Sequence, residues 1–271
     1  MTHTVVLIGA GNMGYAMLTG WLRRDPDLVA HVVEPYAPFQ ARAKAAGAQP
    51  VAAFADLPGD LDPALVVLAV KPQMVTSVQA DCSAFARRGA TFVSVAAGIT
   101  IAAMAATLPK GTPVVRCMPN TPAAIGEGMM VLCAGPAVTA TARQLIETLF
   151  AASGSVAWLQ DEGLMDAVTA ISGSGPAYVF HFIEALTEAG VALGLPDDIA
   201  SLLARQTVAG AGRMALTSAT SPTVLREQVT SPNGTTAAAL AVFRYEHALV
   251  RLVGQAATAA RDRGIELGRE G

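Results

Sequence analysis

Short runs of β-branched and other apolar residues recur through the first half of the chain: Thr4 to Ile8, His31 to Glu34, Leu65 to Val70, Thr91 to Val95, Pro113 to Cys117 and Met129 to Cys133. Between several of them lie Ala-rich stretches of helical composition, at Met13 to Arg24, Pro38 to Ala46, Val75 to Ala86 and Thr100 to Leu108. Nearly continuous apolar strands alternating with helices predict a parallel sheet covered on both faces, a doubly wound α/β arrangement. After Trp158 the β-branched runs thin out. Ala- and Leu-rich segments punctuated by Gly, Pro and Ser predict helices at Asp161 to Ala170, Pro176 to Leu193, Asp197 to Thr217, Pro222 to Val229 and Thr236 to about Arg263. Pro176 and Pro222 suit the first helical position, and Asp197 and Ser221 suit N-caps. The domain boundary is expected near residue 160, dividing residues 1–160 from an all-helical domain over 161–271.

The final predicted helix would run about 28 residues, roughly 42 Å at 1.5 Å per residue. Between Leu252 and Ala260 it has no charge, and apolar residues occupy all its faces, the pattern of a helix buried all round. A chain of 271 residues has little else to cover it. These helices are therefore expected to form the core of an obligate homodimer.

Composition narrows the function. A chain that is 52% hydrophobic and 14% charged can bury a large core, which argues against disorder. The net charge of -3, without any Lys/Arg cluster longer than a pair, argues against nucleic acid as a partner. The strongest apolar run, Ala64 to Val70, is too short to span a bilayer, and Val5 to Ile8 reads as a strand rather than an export signal. Cys82, Cys117 and Cys133 form no C-x-x-C and have no nearby His pair, so neither a disulfide framework nor a metal site is expected, and a cytoplasmic location fits.

Gly9-Ala10-Gly11-Asn12-Met13-Gly14 leaves a predicted strand and opens a predicted helix. In a G-x-G-x-x-G at that junction the first glycine makes the turn, the second admits a pyrophosphate and the third allows close helix packing. The first domain is thereby expected to be a Rossmann-type dinucleotide-binding domain. Glu34 follows about 20 residues later, at the end of the second strand, where a carboxylate accepts hydrogen bonds from an adenosine ribose and repels a 2′-phosphate. That leans toward NADH over NADPH, although Arg42 lies one helical turn further on.

The second domain limits what the hydride could reduce. It holds His181 and His247 but no lysine, the last lysine of the chain being Lys110. Each histidine fits a packing or capping role better than a catalytic one. A substrate needing strong acid assistance at a carbonyl is thus disfavoured. A cyclic imine is easier, because its protonated form is already electrophilic. Two Gly/Ser/Thr-rich helix entrances, Ser172-Gly173-Ser174-Gly175-Pro176 and Thr230-Ser231-Pro232-Asn233-Gly234-Thr235-Thr236, offer N–H groups and hydroxyls for a small carboxylate. A β-hydroxyacid dehydrogenase would need a lysine that the second domain lacks. A reductase of another cyclic imino acid and a non-catalytic NAD(P)H-sensing oligomer remain as alternatives.

Gly9 to Gly14, Ala69-Val70-Lys71-Pro72-Gln73, Met118-Pro119-Asn120-Thr121-Pro122, Ser172 to Tyr178 and Pro222 to Thr236 together resemble pyrroline-5-carboxylate reductase, in order and over essentially the whole chain. The resemblance implies hydride transfer from NADPH or NADH to the C=N of 1-pyrroline-5-carboxylate, giving L-proline. It implies that Gly9, Gly11, Asn12, Met13, Gly14, Ala69, Val70, Lys71, Pro72, Ala97, Gly98 and Asn120 line the cofactor cleft. It places Ser174, Gly175 and Pro176 beside the substrate, Ser231, Gly234, Thr235 and Thr236 on its carboxylate, and Thr236 within reach of the ring nitrogen. It further implies domain-swapped homodimers, often assembled into decamers, with a site built across two subunits. The family more often has Gly where Asn233 stands and an acidic or amide residue where Arg244 stands. Asn tolerates a positive φ, so the turn is expected to survive. The family also more often takes NADPH, against the lean from Glu34.

Overall fold

A computed structural model describes the chain from His3 to Glu270. Eight strands form one sheet: β1 (Thr4–Ile8), β2 (Val29–Val33), β3 (Gln49–Val51), β4 (Leu65–Leu68), β5 (Thr91–Ser94), β6 (Val114–Met118), β7 (Gly128–Ala134) and β8 (Gly154–Leu159). Their order is β3-β2-β1-β4-β5-β6-β7-β8. Strands β1 to β6 are mutually parallel. The expectation of a wholly parallel sheet needs one correction, because β7 runs antiparallel to β6 before β8 pairs with it in parallel. Gly126, at φ 77°, makes the left-handed turn that helps the chain return from β6 within a few residues.

The apolar runs are continuous because both faces are covered. Val5, Leu7, Leu65 and Val67 pack with Met17, Leu18 and Trp21 of the Asn12–Arg24 helix. The alternate residues Val6, Ile8, Val66 and Leu68 pack with Val75, Phe85 and Met104 on the other side. A side-chain period of two sends neighbours in each strand to opposite cores.

Two strands have no counterpart in the apolar pattern. β3 is a three-residue Gln-Pro-Val strand at the sheet edge, where a proline costs no ladder bond. β8 is the other edge, and most of its side chains are half-buried. The expected Val75 to Ala86 helix is two pieces, Val75–Asp81 and Ser83–Arg87, meeting at Cys82 with ψ 0°. The expected Asp161 to Ala170 helix is a single turn at Glu162–Leu164, a short α-helix at Met165–Val168 and a π-helical turn at Thr169–Gly173.

One compact unit extends to Ser174 and resumes at Ala260; the other comprises residues Gly175–Ala259. The change of composition near residue 160 thus precedes this division. Arg116, buried on β6, explains why: it pairs with Asp166 at 3.2 Å and Glu162 at 3.4 Å, and Glu162 also accepts the Ile101 N–H at 2.8 Å. Removing the segment from the sheet would leave a buried guanidinium without its anions, a costly change.

The second unit is helical: Gly175–Ala192, Asp197–Thr217, Pro222–Gln228, Thr235–Arg244 and the first part of Ala248–Glu270. Pro222 is the first residue of its helix, and Ser221 caps it by accepting the Val224 N–H. Pro176 is second in its helix rather than first, because Gly175 is already helical. Asp197 is not the cap expected of it. Pro196 holds that position, and Asp197 and Asp198 sit in the first turn, where the helix dipole favours carboxylates. The first two helices approach closely at Gly190, where an added Cβ would come within 3.1 Å of the Ala200 Cβ. Among the described residues of this unit, the buried apolar side chains are Ala200 and Ala204. No helix of the described residues is long and apolar enough to cross a membrane.

The expected continuous last helix is also corrected. Glu246 (φ 48°, ψ 33°) and His247 (φ 56°) adopt left-handed backbone between Arg244 and Ala248 and divide it into two helices. Left-handed conformation costs non-glycine residues about 1 to 2 kcal/mol each, and glycine returns part of the gain through its looser unfolded state. Glu246→Gly is therefore expected to raise stability by up to about 1 kcal/mol in thermal unfolding. A lower midpoint would mean that the Glu246 side chain outweighs its backbone strain.

Candidate active site

The parallel strands β1, β2, β4, β5 and β6 end at one edge of the sheet, so the loops that follow them converge there. β1 lies between β2 and β4, the point at which the chain's progression across the sheet reverses and a crevice opens. The Gly9–Gly14 loop leaves β1 at that crevice. Gly9 has φ 92°, and a Cβ on it would stand 2.6 Å from the Ala69 carbonyl oxygen. A Cβ on Gly14 would run into the Gly9 carbonyl, whereas one on Gly11 would stand in open space. Gly11 caps the Asn12–Arg24 helix without a side-chain hydrogen bond, and the first turn holds no acid. The helix start therefore presents open N–H groups and a positive dipole end, which fits a pyrophosphate.

A cavity of about 530 Å³ is lined by Gly9, Gly11, Glu34, Ala69, Val70 and Lys71, among others. Asn12 and Met13 line a neighbouring cavity of about 500 Å³ with Tyr15, Thr19, Arg42 and Thr121. Pro72 begins a single helical turn after Lys71. Ala97 is exposed and Gly98, at φ 77°, half-buried in the loop after β5, with Asn120 in the loop after β6. Sequence reasoning missed Gly268: its backbone lies against this cleft loop, close enough that a Cβ on Gly98 would approach its Cα to 3.3 Å. A Cβ on Gly268 would in turn stand 3.2 Å from the Gly98 carbonyl oxygen, a tight contact that glycine avoids, and no motif in the sequence marks it.

Glu34 sits at the end of β2 as expected, but its hydrogen bonds go to the loops. Oε2 accepts from the Ala10 N–H at 2.7 Å and Oε1 from the Tyr36 N–H at 2.9 Å. Asn120, expected in the cleft lining, uses its carboxamide as a brace. Oδ1 accepts the Met129 N–H at 2.8 Å, while Nδ2 donates to the Ser172 carbonyl at 3.2 Å and approaches its hydroxyl at 3.3 Å.

That brace bears on the first expected substrate entrance. Ser172 and Gly173 belong to the π-helical turn, and the Ser174 N–H is spent on the Thr169 carbonyl at 2.8 Å. The helix at Gly175 is thus entered from a preceding helical turn and is not the open end that the Gly/Ser pattern predicts. The turn lies against the end of β6, where a Cβ on Gly173 would displace the flexible Met118 methyl. π-helical turns inside helical segments occur frequently at functional sites.

The second entrance, in the helical unit, has the expected form. Asn233 takes φ 58°, and the Gly234 N–H donates to the Ser231 carbonyl at 3.0 Å across the turn. Gly234 caps the Thr235–Arg244 helix without a side-chain hydrogen bond. Ser231 and Thr235 are exposed and Thr236 half-buried at this uncapped start. His181 lies 2.9 Å from Glu184 on its own helix surface with its side chain 84% exposed, and His247 carries part of the kink. Among the described residues no group of three His, Cys, Asp or Glu side chains could hold a metal ion. Burial pushes the Cys82 thiol up to about 12 and raises Cys117 and Cys133 as well, which suits packing rather than nucleophilic attack.

Residues 162–267 match the model of the pyrroline-5-carboxylate reductase dimerisation domain, and residues 4–98 match that of the coenzyme F420-dependent NADP oxidoreductases. A pyrroline-5-carboxylate reductase of Pseudomonas aeruginosa is 43% identical over 99% of this chain and 98% of its own. The solved structure of a pyrroline-5-carboxylate reductase from Coxiella burnetii superposes with a TM-score of 0.93 at 35% identity, covering 98% of this chain and 99% of that one. The Plasmodium falciparum pyrroline carboxylate reductase, solved with NADP bound, gives 0.81 at 27% identity over the same shares.

Removing the brace should loosen the π-helical turn. Asn120→Ala leaves the Met129 N–H and Ser172 without their partner and is expected to cost about 1 to 3 kcal/mol in denaturant unfolding. Unchanged stability would show that water replaces the carboxamide.

Proposed function

The chain belongs to the pyrroline-5-carboxylate reductase family, and on that premise we propose how its residues divide the work. The reaction is reduction of the C=N bond of 1-pyrroline-5-carboxylate to L-proline at the expense of NADPH or NADH. The bound nicotinamide supplies a hydride to the C=N carbon, and one further proton balances the product amine.

The observation that carries the assignment of roles is the pair of α-helix starts at which glycine is the N-cap, Gly11 and Gly234. The first, with Gly9 and Gly14 in support, takes the cofactor pyrophosphate, while Ala69 to Pro72, Ala97 and Gly98 bound the rest of the cleft. The second takes the substrate carboxylate through the Gly234 turn, the Ser231 hydroxyl and Thr235. Thr236, on the first turn of the same helix, holds the ring nitrogen through its hydroxyl. Ser174, Gly175 and Pro176 are further substrate contacts. A protonated imine needs no strong acid, which suits a second unit without lysine. Orientation of the ring against the hydride donor then supplies most of the catalysis, about 7 to 11 kcal/mol in favourable cases.

The chain is a homo-oligomer, and the finer reading is a homodimer formed through the C-terminal helices, assembled further into a decamer in the cytoplasm. In support, Phe180, Leu202, Val242 and Val250 are 58%, 61%, 72% and 72% exposed in a helical unit whose buried apolar side chains are two alanines. Apolar surface on that scale needs a partner, and a second copy presents the same surface.

Turnover of the five-membered imine with either reduced nicotinamide, followed by nicotinamide absorbance, tests the activity; tight nucleotide binding without turnover would sink it. Thr236→Ala is expected to lower kcat/KM by about tenfold to a hundredfold, about 1.4 to 2.8 kcal/mol. An unaltered value would remove Thr236 from the substrate site. In sedimentation, Leu202→Asp with Val250→Asp should shift the protein toward monomer and abolish turnover. A fully assembled double variant would place the interface elsewhere.

A further inference from the structure

At the end of a second Rossmann strand an acid ordinarily reads the adenosine ribose, and a base nearby ordinarily takes a 2′-phosphate. Glu34 and Arg42 occupy such positions, yet their contacts point elsewhere. Glu34 is only 6% exposed, and each of its oxygens accepts a backbone N–H, Oε2 from Ala10 and Oε1 from Tyr36. Arg42 Nη2 donates to the Ala10 carbonyl. Its guanidinium carbon lies 4.0 Å from the ring centre of Phe39 and 4.5 Å from that of Tyr15. It lines the cavity beside Tyr15 and Thr19, while Glu34 lines the one beside Gly9 and Gly11.

Ala10 is the residue between the first two glycines of the loop, and it is fully buried. Its N–H is held by an anion and its C=O by a cation. Buried peptide groups must be paired, and bonds to charged groups are the stronger ones. Gln40 adds a tie by donating from Nε2 to the Glu34 carbonyl at 2.7 Å, joining the following helix to the same strand end. The loop is thus shaped before any nucleotide arrives, which removes an ordering cost from binding.

We propose that Glu34 and Arg42 are positioning residues that clamp the Ala10 backbone of the dinucleotide loop, and that neither selects between NADH and NADPH. The proposal rests on the reading of Gly9 to Gly14 as the cofactor loop, and it replaces the lean toward NADH drawn from Glu34. Both nucleotides share the pyrophosphate, so loss of the clamp weakens both alike. Loss of a ribose or phosphate reader changes their ratio.

The test uses the full-length protein and two readouts: calorimetric Kd for NADH and NADPH, and hydrogen exchange of the loop amides without nucleotide. Glu34→Gln keeps the shape but replaces one acceptor oxygen by an NH2 group; Arg42→Met keeps an apolar stem and removes the donors. Each is expected to raise both Kd values about tenfold, about 1.4 kcal/mol, with their ratio held within about twofold. Exchange over residues 9–14 should quicken in the nucleotide-free variants, and Arg42→Lys should restore part of the affinity. A tenfold change of ratio toward NADPH in Glu34→Gln with unaltered exchange would make Glu34 a ribose reader. Loss of NADPH alone in Arg42→Met would make Arg42 a phosphate ligand. Unchanged Kd values would leave the clamp without function, and each of these results overturns the proposal. Should Glu34→Gln fail to fold, Glu34→Asp and Arg42→Met carry the same comparison. Failure of the unsubstituted protein to bind either nucleotide would instead sink the reading of the loop itself.

Discussion

The close backbone packing at the end of β1 is the constraint on which the cofactor unit depends. The Gly9 loop passes so near the Ala69 carbonyl, and the Asn12–Arg24 helix begins so near the Gly9 carbonyl, that side chains at Gly9 and Gly14 have no room. This contact draws β1, the end of β4 and the first helix together at the reversal point of the sheet. The helix start then faces the crevice with its N–H groups unspent. Apolar packing on both faces of the sheet keeps these elements in register, so the loop is held by the two cores beneath it.

Polar ties carry that order outward from the strand ends. Arg116 draws Glu162 and Asp166 onto β6, and Asn120 links the loop after β6 to the start of β7 and to Ser172. The π-helical turn at Thr169–Gly173 is consequently fastened to the sheet. Such buried networks are costly when half-satisfied, and here each named charge or carboxamide has its partners. The first unit therefore includes residues whose composition belongs with the helical part.

The helical unit has the opposite character. Its helices carry large apolar side chains in solvent, and within one copy they bury little more than Ala200 and Ala204. Conformational entropy lost on ordering five helices must be offset by burial, and one chain supplies too little. The hydroxyl-bearing turn at Ser231–Thr236 thus stands in a unit whose apolar surface is largely open to solvent.

Much of this was legible in the residue pattern. Apolar continuity marks the inner strands, the glycine spacing marks the tight turn between β1 and the first helix, Asn suits the positive φ at Asn233, and the apolar helices point to association. These features are local, or follow from periodicity alone. Tertiary structure decided the rest. β3 and β8 form because edge positions accept short or half-exposed strands, so their sequences need no apolar run. β7 turns back because of the path at Gly126. The final helix breaks at Glu246 and His247, side chains that by themselves announce no left-handed turn. The contacts of Glu34 and Arg42 with Ala10 and of Asn120 with Ser172 join distant segments, and a hydrogen bond between such groups is fixed by the fold that places them. Motif resemblance was thus enough to indicate the family, while three-dimensional packing alone decided which backbone groups Glu34, Arg42 and Asn120 hold.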